Sequence, residues 1–129
     1  MPTQGDSIAT ARTVARGGSL VPPHCPPVNA KIRPIDAQGH TPGHTAFHVS
    51  SGKDQLIVLG DTTNIPALFV RNPGWHAAFD QDAAMPEATR RKLLDQAAAD
   101  QVMVTGYHFP FPAVGTIAKD GKGYAFKPA

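Results

Sequence analysis

The stretch Gly39-His40-Thr41-Pro42-Gly43-His44-Thr45 decides the reading of this chain. It sets two imidazoles around a Pro-Gly turn, so the segment reads as a loop and not as one face of a helix. Leu59-Gly60-Asp61-Thr62 follows, with an acid at the end of the apolar run Gln55 to Leu59. Near the C-terminus comes Gly106-Tyr107-His108-Phe109-Pro110, a third imidazole beside an apolar strand. A His, an Asp and a His at strand-to-loop junctions are how an α/β scaffold offers metal ligands to one cleft.

The surrounding pattern supplies the scaffold. Lys31 to Asp36 reads as an edge strand, because Pro34 removes a ladder donor. Residues 45–50 alternate and read as a strand, and Ser51 to Asp54 as a hairpin turn. Gln55 to Leu59 is apolar enough for a strand buried on both faces. Its end is where open α/β sheets put their chemistry, and Asp61 stands just beyond it. Residues 62–80 look irregular. Residues 86–99 predict the main helix, with Pro86 and Glu87 suited to its first turn. Leu93, Leu94, Ala97 and Ala98 form its packing stripe, while Arg90, Arg91 and Asp95 are expected to face water. Gln101 to Thr105 predicts a strand leading to His108. Thr116 to Lys119 and Tyr124 to Lys127 predict a closing hairpin.

Composition bounds the function. The chain has 129 residues, 41% hydrophobic and 17% charged, which suits one globular domain. A net charge of +2 with no long basic run gives no sign of nucleic-acid binding. No run of about 18 apolar residues suggests a membrane span. Residues 1–20 lack the pattern of a secretory signal. Cys25, the one cysteine, excludes an internal disulfide and fits a reducing compartment. A soluble, cytoplasmic protein is expected. Residues 1–30 are rich in Pro and Gly and read as a loose arm ahead of a domain over residues 31–129. Ser7 to Ala15 is the one short helix candidate within that arm.

Taken in order, these motifs resemble the metallo-β-lactamase-fold hydrolases, and specifically their C-terminal half. Asn72-Pro73-Gly74-Trp75, Phe79-Asp80-Gln81-Asp82, Ala88-Thr89-Arg90 and His108 to Pro112 are similar to the branch with methyl parathion hydrolase-like and lactonase-like enzymes. The resemblance implies an α/β fold: half of an αββα sandwich, with a mixed sheet and one main helix. It also implies a metal-dependent hydrolase acting on an ester, lactone or phosphotriester. His40 then ligates a first metal, Asp61 bridges two and is the catalytic carboxylate, and His108 ligates the second. Zinc is the default, with up to two ions in an intact member. His44 supports the ligands from behind. Trp75, His76, Phe109 and Phe111 are candidate walls of a substrate pocket.

The family's H-x-H-x-D-H motif, which supplies further ligands, is missing from this sequence. The chain alone is therefore expected to be inactive or very slow, and one sheet face to be left uncovered. Three readings stay open: a truncated hydrolase, a non-catalytic remnant or interaction module, and one half of a split enzyme completed in trans. Self-association or a missing N-terminal half are the corresponding partners, beside a small-molecule substrate. Bland alternatives exist for each ligand: a turn-stabilising role for His40, an Asx turn for Asp61, a backbone-bonded imidazole for His108. His48 reads as a plain strand histidine. His24 and Cys25 are adjacent between prolines and point apart. Asp80 and Asp82 read as surface or capping acids.

Overall fold

Alternating side chains and tight turns produce a single six-stranded sheet in the order β1-β2-β3-β4-β5-β6. The structure is a computed structural model that describes residues 30–78, 80 and 84–129. The expected N-terminal arm, with its helix candidate and His24-Cys25, therefore lies outside the described residues, as does Asp82. Strands β1 (Ala30–Asp36), β2 (Thr45–Ser51) and β3 (Asp54–Val58) form an antiparallel meander. β4 (Met103–Thr105) runs parallel to β3. β5 (Val114–Asp120) and β6 (Gly123–Pro128) close the sheet as an antiparallel hairpin. The sheet is mixed, as expected, and Pro34 sits on an edge strand that pairs only with β2.

A parallel pair needs a long crossover. Here it runs through a short π-helical turn, Pro66–Val70, and the helix α1, Ala84–Asp100. The π-helical turn is a departure from the expectation of irregular chain over 62–80. Pro66 starts it and Asn72 Nδ2 donates to Leu68 O at 3.2 Å near its end. Pro86 and Glu87 lie in the first turn of α1. The helix ends where Gln101 takes a left-handed φ of 53° and Val102 N donates to Ala97 O at 3.1 Å.

The core lies between α1 and one sheet face. Leu93, Leu94 and Ala97 of the helix are fully buried with Ala46, Ile57, Leu59 and Val104 of the sheet. Each large side chain buried in this way contributes about 1.5–3 kcal/mol. Two expectations are corrected. Strand β3 is buried on one face only, since Leu56 and Val58 remain partly exposed. Arg90 does not face water: it is 2% exposed and lies on the buried stripe of α1.

Candidate metal centre

The loop between β1 and β2 fixes the first histidines. His44 Nδ1 lies 3.2 Å from Ala37 O, and His44 Nε2 accepts the Asp61 N–H at 3.1 Å. A carbonyl only accepts and an amide N–H only donates, so the ring is the neutral tautomer protonated on Nδ1. Both ring nitrogens are occupied by backbone, leaving no lone pair for a metal. Gly60 lets this happen: at φ 59° a Cβ there would stand 2.8 Å from His44 Nε2. Gly39 does the equivalent at the other end of the motif, where a Cβ would stand 2.6 Å from Pro86 Cα. The loop is thereby seated against the start of α1.

Asp61 and His108 meet across the parallel step of the sheet. Leu59 N donates to Thr105 O at 2.7 Å, and Tyr107 N donates to Gly60 O at 3.0 Å. These bonds carry the β3–β4 pairing past the strand ends. His108 takes a left-handed φ of 64°, which few non-glycine residues adopt. Its Nε2 comes within 3.2 Å of Asp61 Oδ1. That oxygen is buried and has no hydrogen bond, so the approach is close without being aligned as a donor–acceptor pair. One other buried side-chain atom among the described residues, Thr63 Oγ1, is in the same state.

His40 is held from the opposite side. Its Nδ1 lies 3.4 Å from Asp80 Oδ1, and its ring meets His44 edge-on at 6.0 Å between centroids. The Asp80 side chain is only 4% exposed; its Oδ2 accepts the Ala77 N–H at 3.0 Å and lies 3.9 Å from Arg90 Nη2. The surface or capping role expected for Asp80 is thus corrected. Arg90 in turn donates to Thr62 O at 2.8 Å, Pro73 O at 2.7 Å and Trp75 O at 2.8 Å. Its guanidinium also sits over the Phe69 ring at 5.1 Å. Burial pulls the Arg90 pKa below its ordinary value, partly offset by the Asp80 and Glu87 carboxylates. Arg90 is the residue that sequence reasoning missed. The signal was its place among Pro86, Leu93, Leu94 and Ala97, a buried helical stripe.

The structure brings Asp61 and His108 into contact and seats His40 beside His44. Among the described residues no three His, Cys, Asp or Glu side chains gather tightly enough to hold a metal ion. The four candidate pocket residues scatter. Trp75 is 53% exposed, Phe111 is 97% exposed, and His76 is exposed beside Trp75. Phe109 belongs to the core, packed edge-on against Phe126 at 4.9 Å. An open groove of about 690 Å³ does reach the site, lined by Ile65, Pro66, Ala67, His108, Pro110 and Phe126 among others. None of the four expected residues lines it.

No family model matches the sequence, and no curated protein matches it. Solved structures do. AidC, a dizinc quorum-quenching lactonase determined with the product N-hexanoyl-L-homoserine, superposes with a TM-score of 0.73 at 27% identity. The match covers 81% of this chain and 37% of AidC. The hydrolase AbOPH of the β-lactamase superfamily gives 0.72 at 26% identity, over 76% of this chain and 34% of that one. A probable metal-dependent hydrolase from Staphylococcus aureus shares the fold, with a TM-score of 0.61 at 22% identity over 81% and 37%. The fold is the one these hydrolase structures share. More narrowly, the chain is a partial-domain match to metallo-β-lactamase-superfamily hydrolases, spanning just over a third of the length of these structures.

Proposed function

We propose that this chain carries part of the active site of a metal-dependent hydrolase acting on an ester, lactone or phosphotriester bond. The observation that carries the reading is Asp61 Oδ1, buried, unbonded and 3.2 Å from His108 Nε2. A buried carboxylate oxygen without a donor is costly. A tetrahedral zinc with ligands at about 2.0–2.1 Å keeps two of its ligand atoms roughly 3.3 Å apart. The spacing and the donor types therefore fit a divalent ion held by Asp61 and His108. On the family resemblance, a second ion would be held by Asp61 and His40. When bound, such an ion supplies Lewis acidity that activates water and offsets negative charge developing on the substrate.

The rest is done by the chain's own residues. His44 holds the Asp61 backbone and Asp80 orients the His40 ring. Arg90 pins the chain that follows Asp61. The apolar groove beside His108 offers a surface for the non-reacting part of a substrate. The dizinc lactonase named above supports the assignment of reaction class and of zinc.

A second reading, binding without turnover or one part of a site completed in trans, is favoured by the lack of a third clustered ligand among the described residues. Zinc calorimetry with elemental analysis tests the metal site. Weak zinc binding that disappears in both Asp61→Asn and His108→Ala supports it; variants that bind zinc like the parent overturn it. Metal-dependent ester or lactone turnover on the order of 1 per second or more would favour the hydrolase over the second reading.

A further inference from the structure

The groove beside His108 has a direction, because β6 runs along it. Tyr124, Ala125, Phe126 and Pro128 of that strand line it, and Ile65, Pro66 and Ala67 at the start of the π-helical turn add a second wall. Pro128 marks the end nearest the candidate metal centre. There Ala129 N donates to Val114 O at 2.9 Å, and Ala113 N donates to Pro110 O at 2.7 Å in the loop that carries His108. Tyr124 marks the other end, where Arg71 also lines the groove. The Arg71 carbonyl oxygen packs so closely on Gly123 that no Cβ fits, and Arg71 Nη1 donates to Asp120 Oδ2 at 3.4 Å across the β5–β6 turn. Both partners of that ion pair are exposed, so it is weak and leaves other guanidinium donors for a ligand. None of the described lining residues is acidic. From Tyr124 to Pro128 the strand advances about 13 Å.

We propose that this groove receives a substrate tail that is apolar for about ten carbons and ends in a carboxylate at Arg71. The substrate is then a half-ester of a long-chain dicarboxylic acid, with its ester bond beside His108 and Asp61. That placement of the reacting end rests on the hydrolase reading above. Each strand step spans three backbone bonds, so about 13 Å matches an extended chain of about 10–12 bonds. Polarity matches in order along the groove: apolar walls for the methylenes, then one guanidinium for the terminal carboxylate, with no lining acid to repel it. Protein from elsewhere in a larger domain is a poor rival occupant. A hydrolase has to keep the approach to a metal ligand open to substrate, and His108 lines this groove. Hydrolysis adds water across the ester C–O bond: its oxygen stays on the acyl carbon, one proton leaves with the alcohol, and the free diacid remains.

Amide chemical-shift titration of the whole chain without metal tests the tail site. The probes are monomethyl decanedioate and the same molecule with its carboxylate converted to an uncharged carboxamide. The carboxylate should bind about threefold tighter or better at low salt, and the preference should shrink as salt rises. Arg71→Met should abolish the preference and leave the carboxamide's affinity unchanged. Ala67→Trp, which fills the groove, should weaken both probes while far-ultraviolet circular dichroism stays that of the parent. Equal affinity for the two probes overturns the proposal. So does a preference that survives Arg71→Met, or a parent chain that binds neither probe. Zinc titration separates this from the hydrolase reading, because Arg71→Met should bind zinc like the parent. A carboxylate preference in a chain that binds no zinc keeps the tail site and sinks the hydrolase. Zinc binding without the preference sinks the tail site alone.

Discussion

His44 and Asp61, in different loops, are joined by a bond in which the imidazole accepts the backbone N–H of the acid at 3.1 Å. The same ring spends its other nitrogen on Ala37 O at 3.2 Å. Replacing His44 by Ala leaves a donor and an acceptor unpaired in a part-buried setting, at a cost of about 1–3 kcal/mol. Urea denaturation should show that loss, and His44→Gln, which can still donate and accept, should recover part of it. An alanine variant as stable as the parent would deny the ring its role.

Gly60 is coupled to that ring. Its φ of 59° and the 2.8 Å approach of His44 Nε2 to a would-be Cβ predict that Gly60→Ala destabilises by more than about 1 kcal/mol. Part of that cost is the clash, and removing the ring relieves it. In a double-mutant cycle, Gly60→Ala should therefore cost less in the His44→Ala background. Strict additivity would mean that backbone conformation alone is at stake.

Asp80 orients His40 through a side chain that is almost fully buried. Partners of this kind typically influence metal affinity 10–100-fold. Asp80→Asn should weaken zinc binding by about that range. Calorimetry beside a urea curve separates loss of affinity from loss of fold.

Arg90 bonds three carbonyl oxygens from a buried position. Arg90→Met strands those acceptors and should cost about 3–5 kcal/mol, as breaking a buried charged network does. Lysine cannot reproduce the fork, so Arg90→Lys should recover little. A shift of the urea midpoint near zero for either variant would contradict the lock.

Tyr124 and Asp95 give the fold a pH signature. Burial and the 2.7 Å hydrogen bond to Asp95 raise the Tyr124 pKa from 10.0 to about 12. A raised folded-state pKa means stability fully present below about pH 10 and lost as pH climbs toward 12. The hydrogen bond from Tyr124, aided by Lys119, lowers the Asp95 pKa. Its contribution is present above the unfolded value of 3.8 and is lost as pH falls through the lower folded value. Tyr124→Phe should flatten the alkaline limb of the stability curve, which thermal melts from pH 8 to 12 can follow.

The ladder of strands was legible because alternation and turn residues act locally. The 45–50 strand, the 51–54 turn and the final hairpin emerge within a residue or two of the expected bounds. Arg90 and Asp80 were not legible in their roles. A buried charge is recognisable only by the groups around it, and here those are carbonyls from 15 to 28 residues away and a carboxylate from another loop. Phe109 was read as one of the candidate pocket walls, since an aromatic after a histidine looks alike in core and cleft. Only the Phe126 ring opposite settles which it is. The apolar run of β3 taken alone misled, because it does not say whether a second layer exists; the expectation of an uncovered sheet face came from the missing half of the fold, and Leu56 and Val58 are indeed partly exposed.

The parallel seam between β3 and β4 orders events in time. The β1–β2–β3 meander and the β5–β6 hairpin join neighbours in sequence and can form on the microsecond scale of hairpins. The seam joins strands separated by the whole crossover, and that closure has to await α1. Asp61 and His108 stand on opposite sides of it. Their meeting is therefore a late event, and an ion that needs both would report the completed fold like the last tooth of a zip.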